Sequence, residues 1–313
     1  MKKIPDLREV PDLPEEVIQA GLDGNLILFV GAGISMMVGL PSWGGMAWQA
    51  LLDLKDNRII NFSDLDQLKN LDAKKQLSIA SLIAKDYEIS LDLTKKLKVP
   101  PKGNGIYEVL NDIGCACVTT NYDLLLSPRF NEFKKDKAKP SSVTPKDCIR
   151  IQTKSNFFAK HLSDPGTVVH LHGSIQEPTT MVVTTSDYLL HYDDENVKHF
   201  LSELFAKYTV LFIGYGLEEA EILEHILRRG SAHKNADRRR FLLQGYFKSQ
   251  NLLYKSMHHY YEKSFGVHLL GFERDHSDYE QQEEIIKNWG PKLEIRKPEL
   301  TEDLKRIDEV LGL

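Results

Sequence analysis

Leu26 to Ser35 reads LILFVGAGIS, an apolar run stopped abruptly by Gly-Ala-Gly. Such a run has the character of a buried strand, and its glycine ending delivers the carboxyl end of that strand to a group that must approach the backbone closely. Gly31 and Gly33 allow a sharp turn. Amide N–H groups at the start of a following helix favour a negative group such as a pyrophosphate, which makes Gly31, Ala32, Gly33 and Ser35 a candidate phosphate cradle. The dinucleotide fingerprint has a third glycine where this chain has Met36, so by itself the segment reads equally well as a tight turn.

Three further segments share this form: ACVTTNYD at 116–123, VVHLHGS at 168–174 and TVLFIGYGL at 209–217. Each is a β-type run ending in polar or glycine residues. In an open parallel α/β sheet the ligand crevice lies outside the carboxyl ends of the strands, so these ends can converge although they are far apart in sequence. Between them the spacing predicts helices over 13–20, 45–54, 106–113, 196–207 and 218–229. Two more strand–helix units are expected, a strand at 240–246 with a helix at 252–263, and a strand at 267–272 with a helix at 279–289. Residues 65–92 keep helical spacing without proline or glycine, within a helical insertion spanning 46–100. The polar, proline-containing stretch 127–165 reads as a loop-rich insertion of the kind that covers a site. The expected fold class is α/β: one domain over 1–313 with a doubly wound, Rossmann-like parallel sheet and a helical insertion.

With 42 % hydrophobic and 27 % charged residues, a chain of 313 residues can bury a large core. No apolar run approaches the roughly 20 residues of a membrane span. Met1-Lys2-Lys3 is followed by Pro5 and acidic residues rather than a signal-like segment, so a cytoplasmic location without a membrane partner is expected. Cys115, Cys117 and Cys148 give no disulfide framework. The formal charge of -5 argues against a nucleic-acid coat. Direct nucleic-acid binding stays open through two basic clusters, Lys134, Lys135, Lys137 and Lys139, and Arg228, Arg229 and Arg238 to Arg240, which read as solvated surfaces or as contacts to an acidic partner or a negatively charged cofactor. Glu218, Glu219, Glu221 and Glu224 read as an acidic first helical turn favoured by the helix dipole, not as a metal cluster.

Taken in order, GAGIS followed by Gly39-Leu40-Pro41, then Thr119-Thr120-Asn121-Tyr122-Asp123, then His172-Gly173, resemble the GAGxS…GIP, TQNxD and HG motifs of the sirtuin superfamily. Gly214-Tyr215-Gly216 falls where that family has a Gly-x-Ser ribose loop. The deacylase zinc ribbon of two CxxC pairs has no counterpart, because all three cysteines precede His172 and Cys115-x-Cys117 lies in an expected buried strand; no zinc is expected. The deacylase Phe-Arg after GIP is Trp43-Gly44 here, the TQN glutamine is Thr120, and the Gly-x-Ser serine is Gly216. The pattern looks like the sirtuin-like NAD+ hydrolases of bacterial antiphage defence rather than the protein deacylases.

That resemblance implies NAD+ as substrate, cleavage of the nicotinamide–ribose bond to nicotinamide and ADP-ribose, and depletion of NAD+ during phage infection. The product is linear or cyclic according to whether water or an adenine nitrogen reaches the ribose first. The resemblance further implies Asn121 and His172 as catalytic residues. It assigns NAD+ binding to Gly31, Ala32, Gly33, Ser35, Pro41, Trp43, Thr120, Asp123, Gly214, Tyr215 and Gly216.

Residue chemistry is in keeping with these roles. Nicotinamide departs neutral from a cationic ring, so the reaction needs an oriented ribose, stabilised oxocarbenium-like charge and water, but no metal. The Asn121 amide both donates and accepts hydrogen bonds, and so suits a ribose hydroxyl or the attacking water. His172 is the candidate general base, with an ordinary pKa of roughly 6.5. By the period of two, His170 should face the same side of the strand, and only the HG pattern selects His172. Asp123 would hold the carboxamide or else close an Asx turn; Trp43 packs on a cofactor ring or anchors the next helix; Tyr215 stacks or plugs the core.

Restraint of such an activity is expected from homo-oligomerisation or from a partner, by family analogy a HerA-type hexameric ATPase. The alternative functions are a noncatalytic NAD or ADP-ribose sensor, disfavoured by the presence of both Asn121 and His172, and a protein deacylase, opposed by the missing ribbon.

Overall fold

The computed structural model describes residues 4–130, 148–217, 219–230 and 240–298. Lys134, Lys135, Lys137, Lys139, Glu218, Arg238 and Arg239 lie outside the described residues. In chain order, α1 (Glu15–Leu22) leads into β1 (Leu26–Val30) and α2 (Ala32–Met37). Three helices follow, α3 (Trp43–Asp56), α4 (Phe62–Leu68) and α5 (Ala73–Asp86), before α6 (Gly105–Ile113) and β2 (Ala116–Thr119). Then come β3 (Ile149–Ile151), β4 (Thr167–His170), α7 (Thr185–Asp193), α8 (Glu195–Lys207) and β5 (Thr209–Ile213). The last units are α9 (Ala220–Gly230), β6 (Arg240–Tyr246), α10 (Asn251–Phe265), β7 (His268–Glu273) and α11 (Gln281–Trp289).

Among the described residues seven strands lie in the order β3-β4-β2-β1-β5-β6-β7, every neighbouring pair parallel. From the central β1 the chain builds one half of the sheet through β2, β3 and β4, then returns to the other side of β1 with β5. Loops leaving β1 and β5 therefore diverge, and the crevice between them is the topological switch point of a doubly wound sheet.

Both faces of the sheet are covered, which is why its strands show no polar alternation. Ile27 and Phe29 point to a core shared with Phe200, Phe205 and Tyr254, while Leu26, Leu28 and Val30 point to the opposite core with Val17, Tyr107 and Trp289. Cys115 and Cys117 are buried in that second core. A third core, with Leu51, Leu54, Leu65, Leu77 and Ala80, is built by α3 to α5 and reaches Tyr122 and Val183. Among the described residues no helix is long and apolar enough to cross a membrane.

The structure corrects three expectations and fills in a fourth. The helical spacing of 65–92 is interrupted: α4 ends at Leu68, and Asp72 caps α5 by accepting from the Lys75 amide at 3.0 Å. Within 127–165, where loops and short elements are expected, the short edge strand β3 pairs with β4, and at three residues it is too short to show a period. The helix α7 was not expected at all; its buried face is Tyr188, His191 and Tyr192, while Leu189 and Leu190 are 69 % and 67 % exposed, so its polarity pattern is inverted. Arg240 is buried at the start of β6 and donates to the Phe205 carbonyl at 3.0 Å, rather than lying on a solvated surface.

The β1 and β5 loops touch through backbone. Gly33 N–H donates to the Gly214 carbonyl at 2.8 Å, and Gly214 has φ +61°. A Cβ on Gly214 would lie 2.6 Å from Ile34 Cγ1 and 2.7 Å from Ile34 N. Gly214→Ala should therefore cost about 1–3 kcal/mol or more, from overpacking plus left-handed strain. Urea unfolding reads this directly, and unchanged stability would show that the two loops do not pack as described.

Candidate active site

The carboxyl ends of β1, β2, β4 and β5 open into one cavity of about 1470 Å³. Ala32, Gly33, Ser35, Pro41 and Trp43 line it from the β1 side, and Thr120, Asn121 and Asp123 from the β2 side. His172, Gly214, Tyr215 and Gly216 complete the wall. Gly31 sits behind it, where its carbonyl accepts from Asn121 Nδ2 at 3.0 Å.

Asn121 is held from several directions. Its backbone N–H donates to Thr119 Oγ1 at 3.0 Å, and that hydroxyl donates to the Val30 carbonyl at 2.8 Å, tying the β2 tail to β1. The side-chain amide donates to Gly31 O and lies 3.3 Å from Tyr107 Oη. Asn121 Oδ1 is buried and has no hydrogen-bond partner among the described residues. An acceptor enclosed without a donor is costly, and this one lies on a residue that faces the cavity.

Two of the expected phosphate and carboxamide ligands are committed elsewhere. Ser35 Oγ donates to Asp123 Oδ2 at 2.7 Å and lies 2.8 Å from Tyr107 Oη. The other Asp123 oxygen accepts from the Leu125 amide at 3.1 Å, which is the Asx turn. Burial pushes the Asp123 carboxyl up, against the hydrogen bonds from Ser35, Leu125 and Tyr107. Gly31 and Gly33 spend their amides on the Ile213 and Gly214 carbonyls, at 3.0 Å and 2.8 Å. Of the Gly-Ala-Gly turn, Ala32, exposed at the start of α2, and Gly33 line the cavity. The buried Tyr107, at the centre of this network, belongs to the apolar face of α6 and carries no signal in the sequence.

The two histidines separate. β4 ends at His170, and the turn through Gly173, with φ +75°, carries His172 to a different environment, so the period of two does not reach it. Arg150 can only donate, so His170 Nε2 accepts from it at 3.2 Å and Nδ1–H donates to the Asn121 carbonyl at 3.1 Å. His170 thus braces the Asn121 loop, and burial lowers its pKa to about 4, helped by Arg150. His172 faces α7 instead: Nε2 is 2.8 Å from Tyr192 Oη and Nδ1 is 3.4 Å from Tyr188 Oη. Burial lowers its pKa to about 3, with Lys74 acting in the same direction. The ordinary basicity expected from the sequence is therefore not what the folded site gives it.

Trp43 opens α3 and packs its ring against Tyr122 and Tyr188, with centroids at 6.1 and 5.8 Å, so it is a helix anchor that also borders the cavity. Tyr215 is buried against Phe29 and Phe212, at 5.0 and 5.8 Å, which is the core-plug alternative.

Sequence reasoning missed Glu219, Lys74 and the α7 tyrosines. Glu219 stands just before α9, as an acidic first turn would place it, but its carboxylate turns into the cavity and accepts from Tyr192 Oη at 3.0 Å. Burial pushes its pKa up to about 7, with the Tyr192 and Tyr215 hydroxyls and Lys74 partly opposing. Lys74 pairs with Glu221 at 3.4 Å and lies 3.8 Å over the Tyr188 ring, linking α5 to this wall.

A second lobe reaches the ends of β6 and β7. There the Arg274 guanidinium is stacked between Phe247 and Tyr279, at 4.0 and 4.5 Å, and donates to Asp278 at 3.1 Å. Arg274 Nε and Gln282 Oε1 are buried without hydrogen-bond partners among the described residues. Among those residues, no group of three or more His, Cys, Asp or Glu side chains is arranged to hold a metal ion.

Comparison with known proteins finds a family similarity over part of the chain. Residues 116–270 match the SIR2-like domain. NAD(+) hydrolase ThsA of Bacillus cereus (strain MSX-D12) is 25 % identical over 242 residues, which are 75 % of this chain and 45 % of that protein. Defense-associated sirtuin 2 of Bacillus subtilis is 24 % identical over 216 residues, 66 % of this chain and 19 % of that protein. A ThsA of Cytobacillus dafuensis is 24 % identical over 225 residues, 69 % and 40 % of the two chains. This chain thus spans less than half the length of each of these relatives. The strand-end cavity and the parallel sheet thus accompany a similarity to the SIR2-like domain over residues 116–270.

Proposed function

We propose that this chain hydrolyses NAD+ at the nicotinamide–ribose bond, and that it does so in antiphage defence by depleting the dinucleotide. The observation that carries the reading is Asn121: its donors are fixed by Gly31 and Tyr107, while Oδ1 is enclosed beside the His172 cavity without a partner. A buried lone acceptor in that position suits a ribose hydroxyl or the attacking water. Two of the relatives are named as NAD(+) hydrolases and another as a defence-associated sirtuin, which supports the same substrate and setting.

In this reading the dinucleotide lies along the carboxyl edge of the sheet. The β1 and β5 loops flank the pyrophosphate, and the nicotinamide riboside enters between Asn121 and His172. The adenosine end occupies the lobe beside Phe247, Arg274 and Tyr279. Departure of neutral nicotinamide leaves charge on the ribose. Asn121 Oδ1 orients the water that captures it, and His172 accepts a proton. Positioning is the main contribution of a fixed amide of this kind.

The expected restraint by assembly, with further copies or with a HerA-type ATPase, is part of the proposal. Light scattering of the chain alone and mixed with such an ATPase reads it; a monomer that never co-elutes would remove this element.

Asn121→Ala should lower nicotinamide release by about 10²–10³-fold while NAD+ still binds. Discontinuous chromatography of nicotinamide with a parallel calorimetric titration separates the two, and undiminished release would overturn the role. Arg274→Ala should raise KM about tenfold with little change in kcat, as loss of remote binding does. A shift confined to kcat would place the adenosine end elsewhere. Treatment with a chelator should leave release unchanged, and loss restored by added metal would contradict the mechanism.

A further inference from the structure

The buried ring of His172 has a carboxylate on the side away from Nδ1. Glu219 Oε2 lies 3.5 Å from His172 Nε2, and Tyr192 Oη bridges the pair at 2.8 Å from Nε2 and 3.0 Å from Oε2. A phenol carries a single proton. If Tyr192 donates it to the Glu219 carboxylate, its oxygen can only accept from the ring, so the hydrogen of His172 must sit on Nε2. Nδ1 is then the bare nitrogen, on the side of Tyr188, which lines the cavity.

We propose that Glu219 is a positioning residue for His172: through Tyr192 it fixes the ring hydrogen on Nε2, and as a carboxylate it stabilises the imidazolium formed when Nδ1 takes the proton of the attacking water. This rests on the hydrolase reading and deepens it. The C1′–N bond breaks with its electron pair going to nicotinamide, which leaves neutral, and the water oxygen forms the new C1′–O bond. The proton of that water passes to Nδ1 and later to solvent, so each turnover releases one proton.

The surroundings explain why a second group is required. Burial makes His172 alone a poor base, and Lys74 disfavours the imidazolium further. General-base efficiency falls when basicity is so far from the working pH. The groups facing the pair come from every neighbouring element. They are Tyr188, His191 and Tyr192 from α7, Tyr122 from the β2 tail, Tyr215 from the β5 loop, Lys74 from α5 and Glu221 from α9. Burial raises the tyrosines, so they stay protonated through the neutral range, and it keeps His191 neutral there. Lys74 and Glu221 pair with each other. Glu219, with its pKa pushed up to about 7, is left as the group that ionises near neutrality. Because its carboxylate form is the supporting one, the rate should rise with pH through about 7.

Two measurements on the full chain test this. The first is nitrogen-15 NMR of histidine-labelled protein above pH 8, with the His172 signals assigned by their loss in His172→Gln. Hydrogen on Nε2 is expected in wild type, with a mixed or reversed tautomer in Glu219→Ala and Tyr192→Phe. The second is the pH profile of nicotinamide release. Glu219→Gln should lose about 10²-fold in kcat with KM nearly unchanged and should lose the rising limb near neutrality. Glu219→Asp should restore part of both. An unaltered tautomer in Glu219→Ala, or a Glu219→Gln profile matching wild type, overturns the proposal. Wild type that releases no nicotinamide overturns the hydrolase reading instead, and the tautomer measurement, which needs no turnover, then decides Glu219 by itself.

Discussion

The contact on which the site depends is between backbones: the Gly33 amide against the Gly214 carbonyl at 2.8 Å, beside the Gly31 amide against the Ile213 carbonyl at 3.0 Å. In a parallel sheet the connections at the carboxyl edge are free to splay, and at the switch point they splay in opposite directions. Here the β1 turn is clamped to the β5 turn before either can. Asn121 then adds β2 by donating to Gly31 O, and the Thr119 hydroxyl adds a second tie to Val30 O. Three strand ends that need not have met are locked at fixed separation. The cost is that glycines suited to cradling a phosphate spend their amides on the carbonyls of Ile213 and Gly214, so those amides are not free for a ligand.

Burial governs the electrostatics of the site more than any single partner does. His170, His172 and His191 are all held neutral, chiefly because an enclosed imidazolium would lose its hydration. The same penalty lifts Asp123 and Glu219. Hydrogen bonding sorts these groups into roles. His170 has both nitrogens taken and acts as a brace, and Asp123 has both oxygens taken and acts as a tie between α2, α6 and the β2 tail. Asn121 keeps an acceptor without a partner among the described residues, and the ring of His172 meets the hydroxyls of Tyr192 and Tyr188 beside the cavity.

The helical elements from α3 to α5 and the helix α7 belong to this account because they close the cavity. Trp43 packs on Tyr122 and Tyr188, and Lys74 reaches across to Tyr188 and Glu221, so the third hydrophobic core meets the cavity wall through aromatic rings and an ion pair. The Lys74–Glu221 pair is partly exposed, with side chains 34 % and 33 % accessible, and contributes modestly to stability. Its larger effect is to place a positive charge near Glu219 and His172.

The sheet, apart from its edge strand β3, was legible in the sequence. Runs such as LILFV and TVLFI are apolar enough to require cover on both faces, and the glycine or polar residues that end them mark where a ligand could approach. The ordered motifs likewise picked out Asn121 and His172, which the structure brings to one cavity. β3 stayed hidden because three residues cannot show a period, and α7 because its buried face is tyrosine and histidine while its leucines face outward. Only the tertiary structure decided that His172 leaves the side of the strand used by His170, that Asp123 closes its own turn, and that Glu219 points inward. Each of those outcomes depends on which polar atoms meet after the chain has packed, and residue order does not encode that until distant strand ends share one enclosed space.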